Sequence, residues 1–120
     1  MGKLLLVDDS PLNRKLMKTI LENEGYTADE AENGFICLEK CETEKPDLVI
    51  MDASMPKLDG WEALRLLRGK PNTKDIPVII CSGSEMDEGP EMLKKRGGQG
   101  FLLKPYRIEE LISMVKEILK

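Results

Sequence analysis

The sequence predicts an α/β fold, a doubly wound five-stranded parallel sheet with five helices on its two faces in a three-layer sandwich. Five short apolar runs, Leu4–Val7, Tyr26–Ala31, Leu48–Met51, Val78–Cys81 and Phe101–Leu103, alternate with segments of helical periodicity. Runs such as Leu4–Val7, Leu48–Met51 and Val78–Cys81 are apolar throughout, as strands covered on both faces are. The connections are short, so successive βα units are expected to cross over right-handedly and lay their strands parallel.

Taken in order, the first run is followed by the best-signalled helix. Leu12, Leu16 and Ile20 with Met17 and Leu21 form its apolar stripe; Ser10 as N-cap, Pro11 at the first helical position and Gly25 just past the end bracket it. Tyr26–Ala31 is the weakest strand signal, and a short helix from about Gly34 to Cys41 follows. After Leu48–Met51, Asp59-Gly60-Trp61-Glu62 resembles a capping box opening a helix with the stripe Trp61, Leu64 and Leu67. After Val78–Cys81 a helix ends near Arg96, with Gly89-Pro90 near its start, where proline is harmless only within the first turn. Ile108, Leu111, Ile112, Val115, Ile118 and Leu119 mark the last amphipathic helix.

The 120 residues make a single domain, 1–120, of ordinary size. With 41% hydrophobic and 33% charged residues the chain reads as globular, and no apolar run nears the roughly 20 residues of a membrane span. No membrane insertion is expected, and with no leader pattern at the start the cytoplasm is the expected compartment. Eighteen basic against 22 acidic residues give a net charge of −4 without a basic block, which argues against direct nucleic-acid binding. The absence of histidine excludes Ser-His-Asp and Cys-His catalysis and histidine-ligated metals. Three cysteines without CxxC spacing argue against a disulfide framework, and Cys37 and Cys41, four apart on one helix face, read as small buried hydrophobes.

Open α/β sheets bind ligands outside the carboxyl ends of their strands. Asp8 and Asp9 follow the first run, Asp52 the third, Ser82 the fourth and Lys104 the fifth, so three carboxylates, a hydroxyl and an ammonium fall on one sheet edge. Carboxylates so gathered repel unless a cation sits among them or one stays protonated. A hard divalent ion suits such a set, and Mg²⁺ best, because it takes one or two carboxylates, waters and a phosphate oxygen. The competing reading has Asp8 and Asp9 capping the next helix and Asp52 decorating a turn. Five chemically matched residues on one edge argue against it. Lys104 is placed to pair with Asp52 or a phosphoryl oxygen, and Pro105 after it fixes a turn, with the Lys104–Pro105 bond a cis candidate.

These residues resemble the receiver domains of two-component response regulators, the single-domain chemotaxis regulators among them. Val7-Asp8-Asp9-Ser10 is similar to the family's acidic pair after the first strand, Met51-Asp52-Ala53-Ser54-Met55-Pro56-Lys57-Leu58-Asp59-Gly60 to its phosphoacceptor segment, and Lys104-Pro105 to its lysine and cis-prolyl neighbour. The resemblance covers essentially the whole chain. It implies a flavodoxin-like strand order, 2-1-3-4-5, and a phosphorylation-activated signalling switch. Asp52 would accept a phosphoryl group from a sensor histidine kinase's phosphohistidine or from a small phosphodonor. Asp8, Asp9, Asp52 and the Ser54 backbone carbonyl would hold Mg²⁺, with Mn²⁺ expected to substitute. Lys104 and Ser82 would contact the phosphoryl group, and Ser82 with Phe101 would form the switch that reshapes the 82–106 surface. The chain would catalyse only its own phosphorylation and dephosphorylation, so it is not an enzyme in the usual sense. Its partners would be the kinase and a downstream protein, or an output domain in a longer parent chain.

Some residues depart from the family pattern. Gly97-Gly98-Gln99-Gly100 is unusually glycine-rich, so the approach to the fifth strand is expected to be loose, and Gly89-Pro90 is expected to shorten or displace the fourth helix. Ser54 and Ser84 match two small variable positions that leave attacking water free access. A flavodoxin-type cofactor module is disfavoured because Asp8-Asp9 would repel a phosphate after the first strand. An aspartyl-phosphate hydrolase would need a substrate cap for which no residues remain. A degenerate receiver acting as a phosphorylation-independent scaffold is the remaining alternative, against which the intact acidic set argues.

Overall fold

The computed structural model describes residues 2–83 and 89–120. Strands β1 (Lys3–Val7), β2 (Thr27–Ala31), β3 (Leu48–Asp52), β4 (Val78–Ser82) and β5 (Gly100–Leu103) alternate with helices α1 (Pro11–Asn23), α2 (Gly34–Glu44), α3 (Gly60–Arg68), α4 (Gly89–Arg96) and α5 (Ile108–Ile118). All strand pairs are parallel, in the order β2-β1-β3-β4-β5, which is the flavodoxin-like doubly wound topology.

Alternate residues of the buried strands serve two cores. Leu5, Val7, Val49, Met51, Val78 and Ile80 pack beneath α2 and α3 through Cys37, Cys41, Ala63, Leu64 and Leu67. Leu4, Leu6, Leu48, Ile50, Ile79 and Leu102 pack beneath α1 and α5 through Met17, Leu21, Leu111 and Val115. The apolar runs thus read as continuous because both faces of the sheet are covered. Cys37 and Cys41 are fully buried free thiols, with sulfurs 4.0 Å apart.

The helix signals act through their side chains. Ser10 accepts from the Asn13 N–H at 3.2 Å with Pro11 in the first turn, and Asp59 accepts from the Glu62 N–H at 2.8 Å. The α1 stripe divides, however. Met17 and Leu21 are buried, whereas Leu12 and Leu16 stand 66% and 55% exposed, because the sheet covers an arc narrower than the sequence pattern.

The glycine-rich approach to β5 is tied down rather than loose. Arg68 Nε donates to the Gly97 carbonyl at 2.9 Å and Arg68 Nη2 to Gln99 Oε1 at 3.0 Å, while that same Oε1 accepts from the Val78 N–H at 2.8 Å. The glycines permit close packing here: a Cβ at Gly98 would lie 2.4 Å from Leu93 Cδ1, one at Gly100 2.5 Å from Met114 Sδ, and Gly97 has φ +80°. Among the described residues the fourth helix spans Gly89–Arg96, and it includes Pro90.

β2 is one edge of the sheet and the most polar strand. Glu30 pairs with Arg14 at 2.9 Å and Lys18 at 3.8 Å, and Asp29 with Lys40 at 3.0 Å. Lys40 Nζ also donates to the Glu30 carbonyl at 2.7 Å.

Candidate functional site

Parallel register brings the strand ends level. Val7 pairs with Met51, Asp52 with Cys81, and Ser82 with Leu103, so the next residues of β1 and β5, Asp8 and Lys104, share the edge with Asp52 and Ser82. The main chain continues the ladder past the strand ends: Asp8 N–H donates to Ala31 at 3.1 Å, Ala53 N–H to Cys81 at 2.8 Å and Lys104 N–H to Ser82 at 2.7 Å. The side chains therefore stand on rigid backbone rather than on free loops.

Carboxylate oxygens of Asp8, Asp9 and Asp52 lie within 4.8 Å of one another. Lys104 Nζ is 3.4 Å from Asp52 Oδ1 and 3.9 Å from Asp8 Oδ2. Asp8 is buried, Asp9 exposed and Asp52 between them. Burial holds Asp8's carboxyl above its ordinary range, and the Asp52 and Asp9 charges add to the effect, although the Ser10 N–H at 2.9 Å and Lys104 oppose it. Asp52 Oδ1 accepts from the Ser54 N–H at 3.4 Å. Ser82 is buried at the end of β4, and the peptide bond between Lys104 and Pro105 is cis. Phe101 is half-buried on β5, beside Ile80. Ser84 and part of the 82–106 surface, residues 84–88, lie outside the described residues.

Hard oxygen donors of this kind suit a small, hard divalent cation better than a soft one. The cluster is reached along an open groove whose walls include Asn13, Leu16, Gly83, Lys104 and Pro105.

Several supporting residues escape a reading of strand ends alone. Arg14 donates from Nη1 to the Asp8 carbonyl and from Nε to Glu30 at 2.9 Å, fixing the backbone under the acidic pair. Its position in the first turns after Asp8-Asp9 is the signal that finds it. Gly60 brings α3 onto the back of Asp52: its N–H donates to Ala53 at 2.9 Å, and a Cβ would stand 2.4 Å from the Asp52 carbonyl oxygen. Cys81, beside Asp52 in register, has its thiol pushed up to about 12 by burial and is no nucleophile.

The fold and this edge define a doubly wound α/β domain with an acidic cleft at the switch point between β1 and β3. Residues 4–116 match the response regulator receiver domain family. The PilH protein of Pseudomonas aeruginosa is 35% identical over 119 residues, covering 99% of this chain and 98% of that protein. The chemotaxis protein CheY4 of Vibrio cholerae superposes with TM-score 0.90 at 29% identity, over 98% of each chain. The receiver domain of a Pseudomonas aeruginosa sensor histidine kinase, solved with magnesium coordinated in its active site cleft, gives TM-score 0.87 at 27% identity over 99% of this chain and 98% of that one. The chain belongs to the response regulator receiver domain family. Its function is phosphorylation-dependent signalling in two-component systems, in which receiver domains take phosphoryl groups from histidine kinases and pass the signal to output partners. They are signalling proteins rather than classical enzymes. No helix among the described residues is long and apolar enough to cross a membrane.

Proposed function

We propose that residues 1–120 act as one cytoplasmic receiver domain in which Asp52 is the phosphoacceptor. The observation that carries this reading is the position of Asp52: it ends the central strand, with its carboxylate grouped with Asp8 and Asp9 and 3.4 Å from Lys104. A carboxylate oxygen of Asp52 attacks phosphorus, the new P–O bond forming as the donor's P–N bond to imidazole, or the P–O bond of acetyl phosphate, breaks. The groove beside Asn13 and Leu16 leaves room for the donor. Asp8, Asp9, Asp52 and the Ser54 carbonyl would hold Mg²⁺ or Mn²⁺, which supplies charge neutralisation for the phosphoryl oxygens. Lys104 carries a second positive charge to the same oxygens, and Ser82 offers a hydroxyl once the phosphoryl group is in place. Phe101 responds to the movement of Ser82, reshaping the 82–106 surface presented to a downstream protein or output domain. Exposed Ser54 leaves water access for dephosphorylation in the same site.

The test is labelling with acetyl phosphate and Mg²⁺. Wild type is expected to acquire an acid-stable, hydroxylamine-labile label, Asp52→Asn to fall to background, and Asp9→Ala to lose labelling at limiting Mg²⁺. Undiminished labelling of Asp52→Asn refutes the assignment. Absence of any label on wild type would favour a phosphorylation-independent scaffold.

A further inference from the structure

The ring of Phe101 has a partner that no strand-end pattern reveals. It stacks on the indole of Trp61, centroids 6.2 Å and planes 16° apart. At its outer edge is Gly89 of α4: a Cβ there would lie 2.5 Å from Phe101 Cζ and 2.8 Å from Cε1. The ring thus occupies the space that a side chain at this position of α4 would fill. Trp61 is the second residue of α3, and α3 also holds the far end of α4. Arg96 Nη1 donates to the Trp61 carbonyl at 3.2 Å and pairs with Glu62 at 3.5 Å.

We propose that Trp61 is a positioning residue for Phe101: the stacked pair, with the seat left open by glycine at 89, holds the ring packed between α3 and α4 before any phosphoryl group arrives, and this pre-packed arrangement is the one that the occupied site selects. The proposal rests on the reading of Phe101 as the switch residue and deepens it. Stacking favours the packed ring by an amount typical of aromatic pairs, roughly a 2- to 12-fold bias in population. A change at Phe101 therefore reaches Trp61 directly and α4 through Gly89, while Arg96 carries it along the other end of the same two helices. The responding surface extends beyond residues 82–106 to α3, at its seam with α4.

The chain has a single tryptophan, so intrinsic fluorescence reads the seat. Phe101→Leu removes the stacking ring, and Gly89→Ala displaces it, since the obstructing atoms belong to a side chain that can rotate away. Both variants are expected to red-shift Trp61 emission and weaken the near-ultraviolet dichroism while leaving the far-ultraviolet spectrum unchanged. Titration with beryllofluoride and Mg²⁺, followed by amide chemical shifts, reads the coupling. Trp61→Leu and Phe101→Leu should each raise the midpoint by roughly 2- to 12-fold, the double variant no further than the larger single, and Trp61→Phe should restore most of the loss. Unchanged emission in both Phe101→Leu and Gly89→Ala overturns the seat. Additive midpoint shifts, or none from Trp61→Leu, overturn the coupling. A wild type indifferent to beryllofluoride refutes the phosphoacceptor reading and the coupling, while the emission of the two variants still decides whether the seat exists.

Discussion

Replacing Lys104 by methionine tests whether the acidic cleft is held together by charge. Its Nζ lies 3.4 Å from Asp52 Oδ1 and 3.9 Å from Asp8 Oδ2, and its side chain is 30% exposed. At the permittivity of water each contact is worth about 1 kcal/mol, and about 4 kcal/mol at an effective dielectric of 20. Partial exposure, the entropy of a long side chain and lost hydration bring the net to the lower figure. Lys104→Met keeps most of the aliphatic stem but leaves three carboxylates without a facing cation, so the metal-free domain should lose about 1–2 kcal/mol. Mg²⁺ supplies the missing charge, so the loss should shrink when excess Mg²⁺ replaces EDTA, and Mg²⁺ should stabilise the variant more than wild type. Urea unfolding followed by far-ultraviolet dichroism, with and without Mg²⁺, measures both differences. An equal loss in the two conditions would refute the reasoning.

Gly60→Ala puts a Cβ 2.4 Å from the Asp52 carbonyl oxygen and 2.9 Å from Ala53 Cα, so backbone must move. Unfolding midpoints should show a loss of about 1–3 kcal/mol, with slower phosphodonor labelling, and wild-type values in both would contradict the close approach. The Cys81 thiol is raised from 9.0 to about 12 by burial, so the fold binds its proton more tightly than the unfolded chain does. That stability is fully present below the unfolded value and lost as pH climbs toward the folded one, at up to about 1.4 kcal/mol per pH unit. Cys81→Ala should consequently lose less stability than wild type across this alkaline window, and parallel pH curves in urea titrations would count against it. Arg68→Leu removes the donors to Gly97 and Gln99, so amide exchange across residues 97–100 should quicken by about tenfold or more, for a loss near 1.4 kcal/mol, whereas unchanged protection would mean the glycine segment is held by packing alone.

The strands and the acidic edge could be read from the chain because each obeys a local rule. A doubly covered strand must be apolar at every position, and residues following such strands must emerge on one side of a parallel sheet. Val7-Asp8-Asp9, Met51-Asp52 and Leu103-Lys104 satisfy both rules within a few residues. What stayed hidden depends on partners distant in sequence. Nothing local shows that Leu12 and Leu16 face solvent while Met17 and Leu21 face the sheet, since periodicity marks the width of a stripe and not the arc another layer will cover. The glycines at 97, 98 and 100 look permissive alone. Only Arg68, Leu93 and Met114, brought in by other elements, turn them into points of close contact. Gly89 opposite Phe101, and Trp61 beside it, belong to the same category.

The charged strand β2 also bears on how the domain behaves among copies of itself. A sheet edge is an open template onto which another extended segment can add. On the β2 side, an incoming strand would have to displace Arg14, Lys18 and Lys40 from Glu30 and Asp29 and strip water from the carboxylates left behind; Lys40 also already occupies the Glu30 carbonyl. The opposite edge has no such guard in its composition: β5 is four residues, Gly100 to Leu103, and Leu103 is half-exposed. Fibril-like growth from a concentrated or partly unfolded population would accordingly begin at β5, and a lysine in place of Leu103 is where resistance to it could be added.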